Sequence, residues 1–305
     1  VMMMGYVVAK EMSPLQYFLE LPQSEGGLGW SSSEFRLFIS SRGFFNVYLF
    51  MLFVSGVILD KTGVRFAGML SCVLMLVGTA IDYYAIAIAS PVPATEVTFP
   101  TLGLDHTMVK DQVLMSAFGF AVFGIGYELC GITVSKVIVK WFSGKEMALA
   151  MGIQVALARF GTALALLGGP FLAKYYQLST PILVGLFSVG LAVVIYLIYC
   201  AMDRKLDKAS DADNNEEKKA EKFSFKGLLT TLRSPGFWLI TLLCMLYYSA
   251  LYPFLDFATK LMISKYGVSP EWAGGISSIL PFTSIILTPL FGGVYDRVGK
   301  GASIM

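Results

Sequence analysis

Two ionisable side chains stand in stretches otherwise fit for lipid: Glu128 in FGIGYELCG (123–131) and Arg159 in MGIQVALARFG (151–161). A charge at bilayer depth is expensive and persists only where it faces a bundle interior or a wet cavity. Glu128 lies twelve residues before Lys140, and Arg159 thirteen after Glu146. With a helical rise of 1.5 Å per residue, both stand about 18 to 20 Å from that boundary, near the middle of a hydrocarbon core about 30 Å thick. The short turn WFSGKEMA makes their helices antiparallel neighbours. One reading is an internal salt bridge that locks two helices while adding little net stability. The other places both on a central cavity, where Glu128 holds a cation or amine and Arg159 a carboxylate. Both hold for a pair that opens to admit a zwitterion.

Other polar residues are candidates for the same cavity. Arg42 and Asn46 are one helical turn apart and can share a face, although interface snorkelling also accounts for Arg42. Tyr247, Tyr248 and Tyr252 can line the cavity or sit in an interfacial aromatic belt. Lys10 and Glu11 are expected at the outer end of a first span as a loop ion pair, Asp256 and Lys260 as a pair near the outer surface, and Lys136 in cytoplasmic water. The four cysteines are far apart in apolar runs and read as packing residues. His106 lies in a polar connection, so no intramembrane histidine relay is read. No Ser/His/Asp set, metal-ligand cluster or phosphate loop occurs, so neither an enzyme, a metal nor a cofactor is expected. No basic stripe points to nucleic acid.

The elements that must position these groups are membrane helices. The chain is 56% hydrophobic and only 14% charged, with a mean hydropathy of +0.68, against about 25% charged in a soluble domain. Eight apolar runs approach the length of about 20 residues needed to span: 1–20, 36–59, 66–89, 113–139, 147–172, 180–202, 236–257 and 271–295. The opening VMMMGYVV has neither a basic n-region nor a cleavage site, so no signal peptide is read, and the first span is expected to be incomplete. Alternate connections carry fourteen Lys and Arg on one side against four on the other, which assigns the richer side to the cytoplasm. The charged segment 203–234 reads as a cytoplasmic linker. It separates an N-terminal transmembrane bundle, 1–202, from the start of a C-terminal bundle, 235–305.

GVILDKTGVR (56–65) and GGVYDRVGKG (292–301) share Gly, three residues, Asp, a basic residue, any residue, Gly, and both follow the second span of their half. This pair resembles the signature loop of the major facilitator superfamily, which implies two pseudo-symmetric six-helix halves. The fold class expected is therefore an all-α polytopic membrane protein, about eight spans of a twelve-span plan, with about four spans outside the sequence. Gly56 and Gly292 allow close helix approach, and Gly63 and Gly299 a tight turn. The resemblance assigns gating to Asp60, Lys61, Gly63 and Arg65, and to Asp296, Arg297 and Gly299, as a latch between the halves. The second copy departs from the pattern, with Lys300 one place early and Gly301 where the first has Arg65.

A narrower resemblance rests on FGIG with Glu128, WFSGKE (141–146), MGIQVALARFG with Arg159, and FWLITLLCMLYYSALYPF (237–254). These are similar to the branch of lysosomal dipeptide uniporters and their bacterial relatives. The likeness implies that Glu128 takes the amino end and Arg159 the carboxyl end of a dipeptide; Arg42, Asn46 and Tyr248 are further substrate-binding candidates from their own positions. An accessory subunit is implied only if the lysosomal likeness extends that far. The expectation is a secondary transporter of small zwitterions; a facilitator of organic anions, or a membrane sensor or scaffold using the linker, are the alternatives. Lipid surrounds the spans. The lack of glycosylation sequons in the outward loops fits a bacterial inner membrane, with a lysosomal membrane as the alternative.

Overall fold

The computed structural model describes residues 1–89, 94–99, 104–142, 147–211, 230 and 232–298. Lys145, Glu146, Gly299, Lys300, Gly301 and most of the charged linker, all singled out above, lie outside the described residues.

The chain opens with α1 (Met2–Glu11), a 3-10 turn at Ser13–Leu15 where Pro14 occupies the first turn, and α2 (Gln16–Glu20). Met12 between them keeps a right-handed helical conformation, so the expected first span is helical with one tightened turn. α3 (Ser32–Ser41) begins at a reciprocal cap: Ser31 accepts from the Glu34 amide, and the Glu34 carboxylate accepts from the Ser31 amide. α4 (Phe44–Tyr48) follows after Gly43. Then Phe50 adopts a left-handed conformation with φ 50°, unusual for a bulky residue, so the expected second span is a broken helix. α5 (Met51–Ala87) contains the end of that span and all of the third, turned at Gly63 with φ 80°, a conformation that glycine adopts without penalty.

The connection expected to be merely polar holds an antiparallel hairpin, β1 (Ala94–Phe99) and β2 (Leu104–Lys110), with Ala94 opposite Lys110 and Val97 opposite Thr107. Its Thr, Val and Phe content suits a strand. The remaining helices are α6 (Asp111–Phe142), α7 (Met147–Tyr175), α8 (Thr180–Asp211), α9 (Pro235–Tyr266) and α10 (Pro270–Val298). α9 starts with Pro235 at its first position and ends on Gly267 in the left-handed region, whose N–H bonds back to Ile263 O, the usual stop signals of a helix. Among the described residues six helices, α5 to α10, are long and apolar enough to cross a membrane.

Two helix crossings hold the assembly. At α5 against α6 a Cβ on Gly78 would stand 2.5 Å from the Phe123 amide nitrogen, and one on Gly126 2.6 Å from Ser71 O. At α7 against α10, which joins the two halves, a Cβ on Gly274 would stand 2.3 Å from Leu166 O and one on Gly292 2.7 Å from Ala148 O. Small residues let backbones touch where lipid offers no hydrophobic drive for association. Gly56 differs from the expectation: nothing lies within 4 Å of its Cβ direction, since the stretch that leads to it, including Leu52, Phe53 and Val54, is exposed. Inside the N-terminal half the core is aromatic, with Phe38, Phe120, Phe123 and Tyr127 stacked in sequence at centroid separations of 4.7, 5.7 and 5.8 Å.

Candidate functional site

The aromatic stack ends at a cluster of tyrosines from α1, α6 and α9. Tyr6 meets Tyr127 edge-on at 5.1 Å, and Tyr248 stacks on Tyr252 at 5.2 Å. Arg42, just beyond the end of α3, reaches into this group. Its Nη1 donates to Ala9 O at 3.1 Å, and its guanidinium carbon lies 5.8 Å from the Tyr127 ring, 5.9 Å from Phe120 and 6.0 Å from Tyr252. Aromatic faces stabilise a guanidinium without neutralising it, so Arg42 keeps its charge for another partner. Lys10, 2% exposed, ion-pairs with Asp256 of α9 and lies 5.1 Å from the Tyr252 ring. Asp256 also accepts from Ser13 Oγ at 3.1 Å.

Glu128 follows Tyr127 on α6 and forms no ion pair among the described residues; the opposite charge that acts on it is that of Arg42. Arg159 also lacks a hydrogen-bond or ion-pair partner there. It borders a cavity of about 30 Å³ with Tyr247, Leu251, Leu255, Leu280, Pro281 and Ser284, and its charge reaches Lys10, Tyr248 and Tyr252. The two residues of equal expected depth therefore do not lock their helices together. Although consecutive, α6 and α7 touch little, because α7 packs on α1 and α10, which turns Arg159 toward α9 and α10. Asn46 sits on α4 with its Nδ2 donating to Gly124 O at 3.2 Å and its Oδ1 buried without a partner, and Arg42 lies against the same Gly124.

Two expected pairings are replaced. Lys10 and Glu11 are both buried inside the bundle and form no loop pair. Asp256 and Lys260 each cross to the N-terminal half: Asp256 to Lys10, and Lys260 to Glu20 at 2.6 and 2.7 Å. Their one-turn spacing on α9 aims both at α1 and α2, where opposite charges lie closer. Lys136 is exposed as expected and also meets Asp60 at 2.5 Å. The sequence reading missed Tyr6, Tyr127, Lys10 and Asp256 as parts of this cluster. A signal was present in the lysine of VVAKEM, which interrupts an apolar run as conspicuously as Glu128 does.

At the end that the charge bias assigns to the cytoplasm, Asp203 of α8 receives Arg65 at 2.7 Å, Lys140 at 2.8 Å and Tyr199 at 3.2 Å. Asp296 of α10 accepts from the backbone amides of Ala148 and Leu149 at 3.3 and 2.8 Å, capping the start of α7 across the two halves. Lys61 and Arg297 are exposed. At the outer end a third cross-half pair, Lys174 with Glu271, stands beside α7 and α10.

The major facilitator superfamily model matches residues 5–305. The lysosomal dipeptide transporter MFSD1 of Homo sapiens is 28% identical over 198 residues, and that of Danio rerio 30% over 190; each match covers 60% of this chain. The chain spans about 41% of the length of these curated relatives. Among solved structures, a D-xylose-proton symporter aligns over 97% of this chain and 66% of its own, with a TM-score of 0.60 and 15% identity, which speaks for the fold alone. The helical order, the repeated Gly-Asp-Gly loop with its turn at Gly63, and the cross-half cap at Asp296 agree with that match: the chain is an integral multi-pass membrane protein and belongs to the major facilitator superfamily.

Proposed function

We propose that this protein is a secondary transporter that carries dipeptides by alternating access around the Tyr6, Tyr127, Tyr248 and Tyr252 chamber. The observation that carries the reading is the pair of unpartnered opposite charges, Glu128 and Arg159, on different walls between the halves. A carboxylate and a guanidinium held apart at membrane depth are each short of a counter-charge, and a zwitterion supplies both at once. In this reading Glu128 receives the amine, Arg159 the carboxylate, and Arg42, Asn46 and Tyr248 the peptide between them. The MFSD1 relatives support the dipeptide as substrate. Asp60, Lys61, Gly63 and Arg65, with Asp296, Arg297 and Gly299, act as cytoplasmic gates, the engaged Asp296 cap being the support for this role.

Uptake by the full-length protein in proteoliposomes tests the reading. Saturable dipeptide uptake lost in both Glu128→Gln and Arg159→Ala supports it; normal uptake in either variant refutes the role of that residue. A second reading has a specific observation in its favour: Lys10, Arg42 and Arg159 approach one chamber against Glu128 and the already paired Asp256. That excess suits a small organic anion, for which Glu128→Gln would retain transport while Arg159→Ala would abolish it.

A further inference from the structure

Arg42 is a guanidinium that forms no ion pair among the described residues. Its Nη1 donates to Ala9 O, and the Phe120, Tyr127 and Tyr252 rings stand around its carbon at 5.9, 5.8 and 6.0 Å. A guanidinium carries five N–H donors in a planar fork, so the bond to Ala9 leaves the rest of the fork to a ligand. The backbone fixes its place. A Cβ on Gly124 would stand 2.0 Å from Arg42 O, so this glycine of FGIG lets Arg42 lie directly on α6, one helical turn from Glu128 and on the same face. Arg42, and not Arg159, is the cation that acts on Glu128, whereas Arg159 acts on Lys10, Tyr248 and Tyr252. Arg42 therefore stands at the Glu128 end of the site. Lys10 is already matched by Asp256. Among the described residues this leaves two cations, Arg42 and Arg159, against one anion, Glu128.

A dipeptide with neutral side chains brings one ammonium and one carboxylate, which preserves that imbalance and makes Glu128 serve both Arg42 and the incoming amine. An unmatched charge away from water is costly, and a second carboxylate on the substrate removes it. We propose that the site selects dipeptides whose first residue is acidic, with Arg42 taking the side-chain carboxylate while Glu128 holds the adjacent amine and Arg159 the terminal carboxylate. An acidic side chain on the first residue lies beside the α-amine, as Arg42 lies beside Glu128; on the second residue it lies toward Arg159, which the terminal carboxylate already occupies. The fork of an arginine matches a carboxylate through paired N–H···O bonds. A lysine side chain in the same place adds a third cation and is disfavoured. The inference deepens the dipeptide reading, on which it rests, and gives Arg42 one specific partner.

Competition against uptake of labelled Ala-Ala by the full-length protein in proteoliposomes at neutral pH tests it. Asp-Ala is expected to compete at about tenfold lower concentration than its neutral isostere Asn-Ala, the difference between a charge-assisted and a neutral hydrogen bond. Lys-Ala is expected to compete less well than Asn-Ala, and Ala-Asp to gain no such factor over Ala-Asn. In Arg42→Gln the Asp-Ala to Asn-Ala ratio falls to near one, and Arg42→Lys, which keeps the charge without the fork, retains part of it. Each ratio is taken within one variant, so slower transport does not alter it; the rise in Tm of the purified protein with each peptide gives the same comparison where transport is lost. Equal competition by Asp-Ala and Asn-Ala in the wild type, a preference that Ala-Asp shares equally, or one that persists in Arg42→Gln overturns the proposal. Saturable Ala-Ala uptake without an acidic preference does so while leaving the dipeptide reading intact, whereas neither uptake nor a Tm shift with any dipeptide overturns both.

Discussion

The outer and cytoplasmic ends of the contact between the halves are built differently. At the outer end three side-chain ion pairs cross it: Lys10–Asp256, Glu20–Lys260 and Lys174–Glu271. They range from a buried pair under Tyr252 to one whose lysine is half exposed. At the other end, among the described residues, the polar side-chain contact across the halves is the Asp296 carboxylate on two backbone amides, while Asp60 pairs with Lys136 and Asp203 with Arg65 and Lys140 inside the N-terminal half. Side-chain pairs are switched by hydration, since each partner can leave for water. A helix terminus keeps its amides and dipole wherever it moves. In the proposed alternating-access cycle, the outer end opens by exchanging salt bridges for solvent and the cytoplasmic end by uncapping a helix.

This contrast can be broken in order of decreasing effect. Asp256→Ala strands Lys10 in a buried site, a change that costs about 3–5 kcal/mol when one partner of a buried pair is removed. The variant is expected to leave the outer end open, measured as increased labelling of an outer-end cysteine. Lys10→Met combined with Asp256→Leu is expected to restore closure; if the double variant stays open, the pair contributes more than its own charges. Gly274→Leu is next. With Leu166 O already at 2.3 Å from a Cβ position, overpacking of about 1–3 kcal/mol is expected, so the halves are held apart along α7 and α10 and uptake falls. Distance measurement between the helices checks that cause, and an unchanged separation would rule it out.

Smaller effects are expected at the helix cap and the exposed pairs. Asp296→Ala removes an N-terminal cap of about 0.5–2 kcal/mol, favouring the state in which the cytoplasmic end is open, read as faster efflux relative to influx. Glu20→Gln weakens a partly exposed pair by about 0.2–1 kcal/mol and is expected to change the outer end only slightly, with a dependence on salt that Asp256→Ala lacks. Equal effects from Glu20→Gln and Asp256→Ala would show that burial does not rank the outer contacts.

Much of the fold was legible because lipid imposes a simple rule: every backbone polar group must be satisfied within a helix. All eight apolar runs are helical, and Gly63 turns where the repeated loop placed a turn. Less legible was the break at Gly43 and Phe50, because a long apolar run carries no mark of where tertiary contacts will interrupt it. The hairpin at 94–110 was missed because its flanking polar residues hid the β-branched content. At the candidate site, spacing from a loop speaks to height along a helix but not to rotation about its axis. Glu128 and Arg159 form no pair with each other, and Arg159 faces α9 and α10, a wall that spacing leaves open.

By itself the sequence determined that this chain is a bundle of membrane helices, that it belongs to a two-halved transporter plan, and that charges stand at membrane depth, because composition, periodicity and a repeated loop are local properties. Only the tertiary structure decided the partners: Asp256 with Lys10 instead of its neighbour Lys260, Arg42 against α1, α6 and α9, the Glu11 Oε2 with none among the described residues. Long-range pairing follows from which helices touch, and α7 touching α1 and α10 more than α6 is a property of packing that no stretch of sequence carries alone.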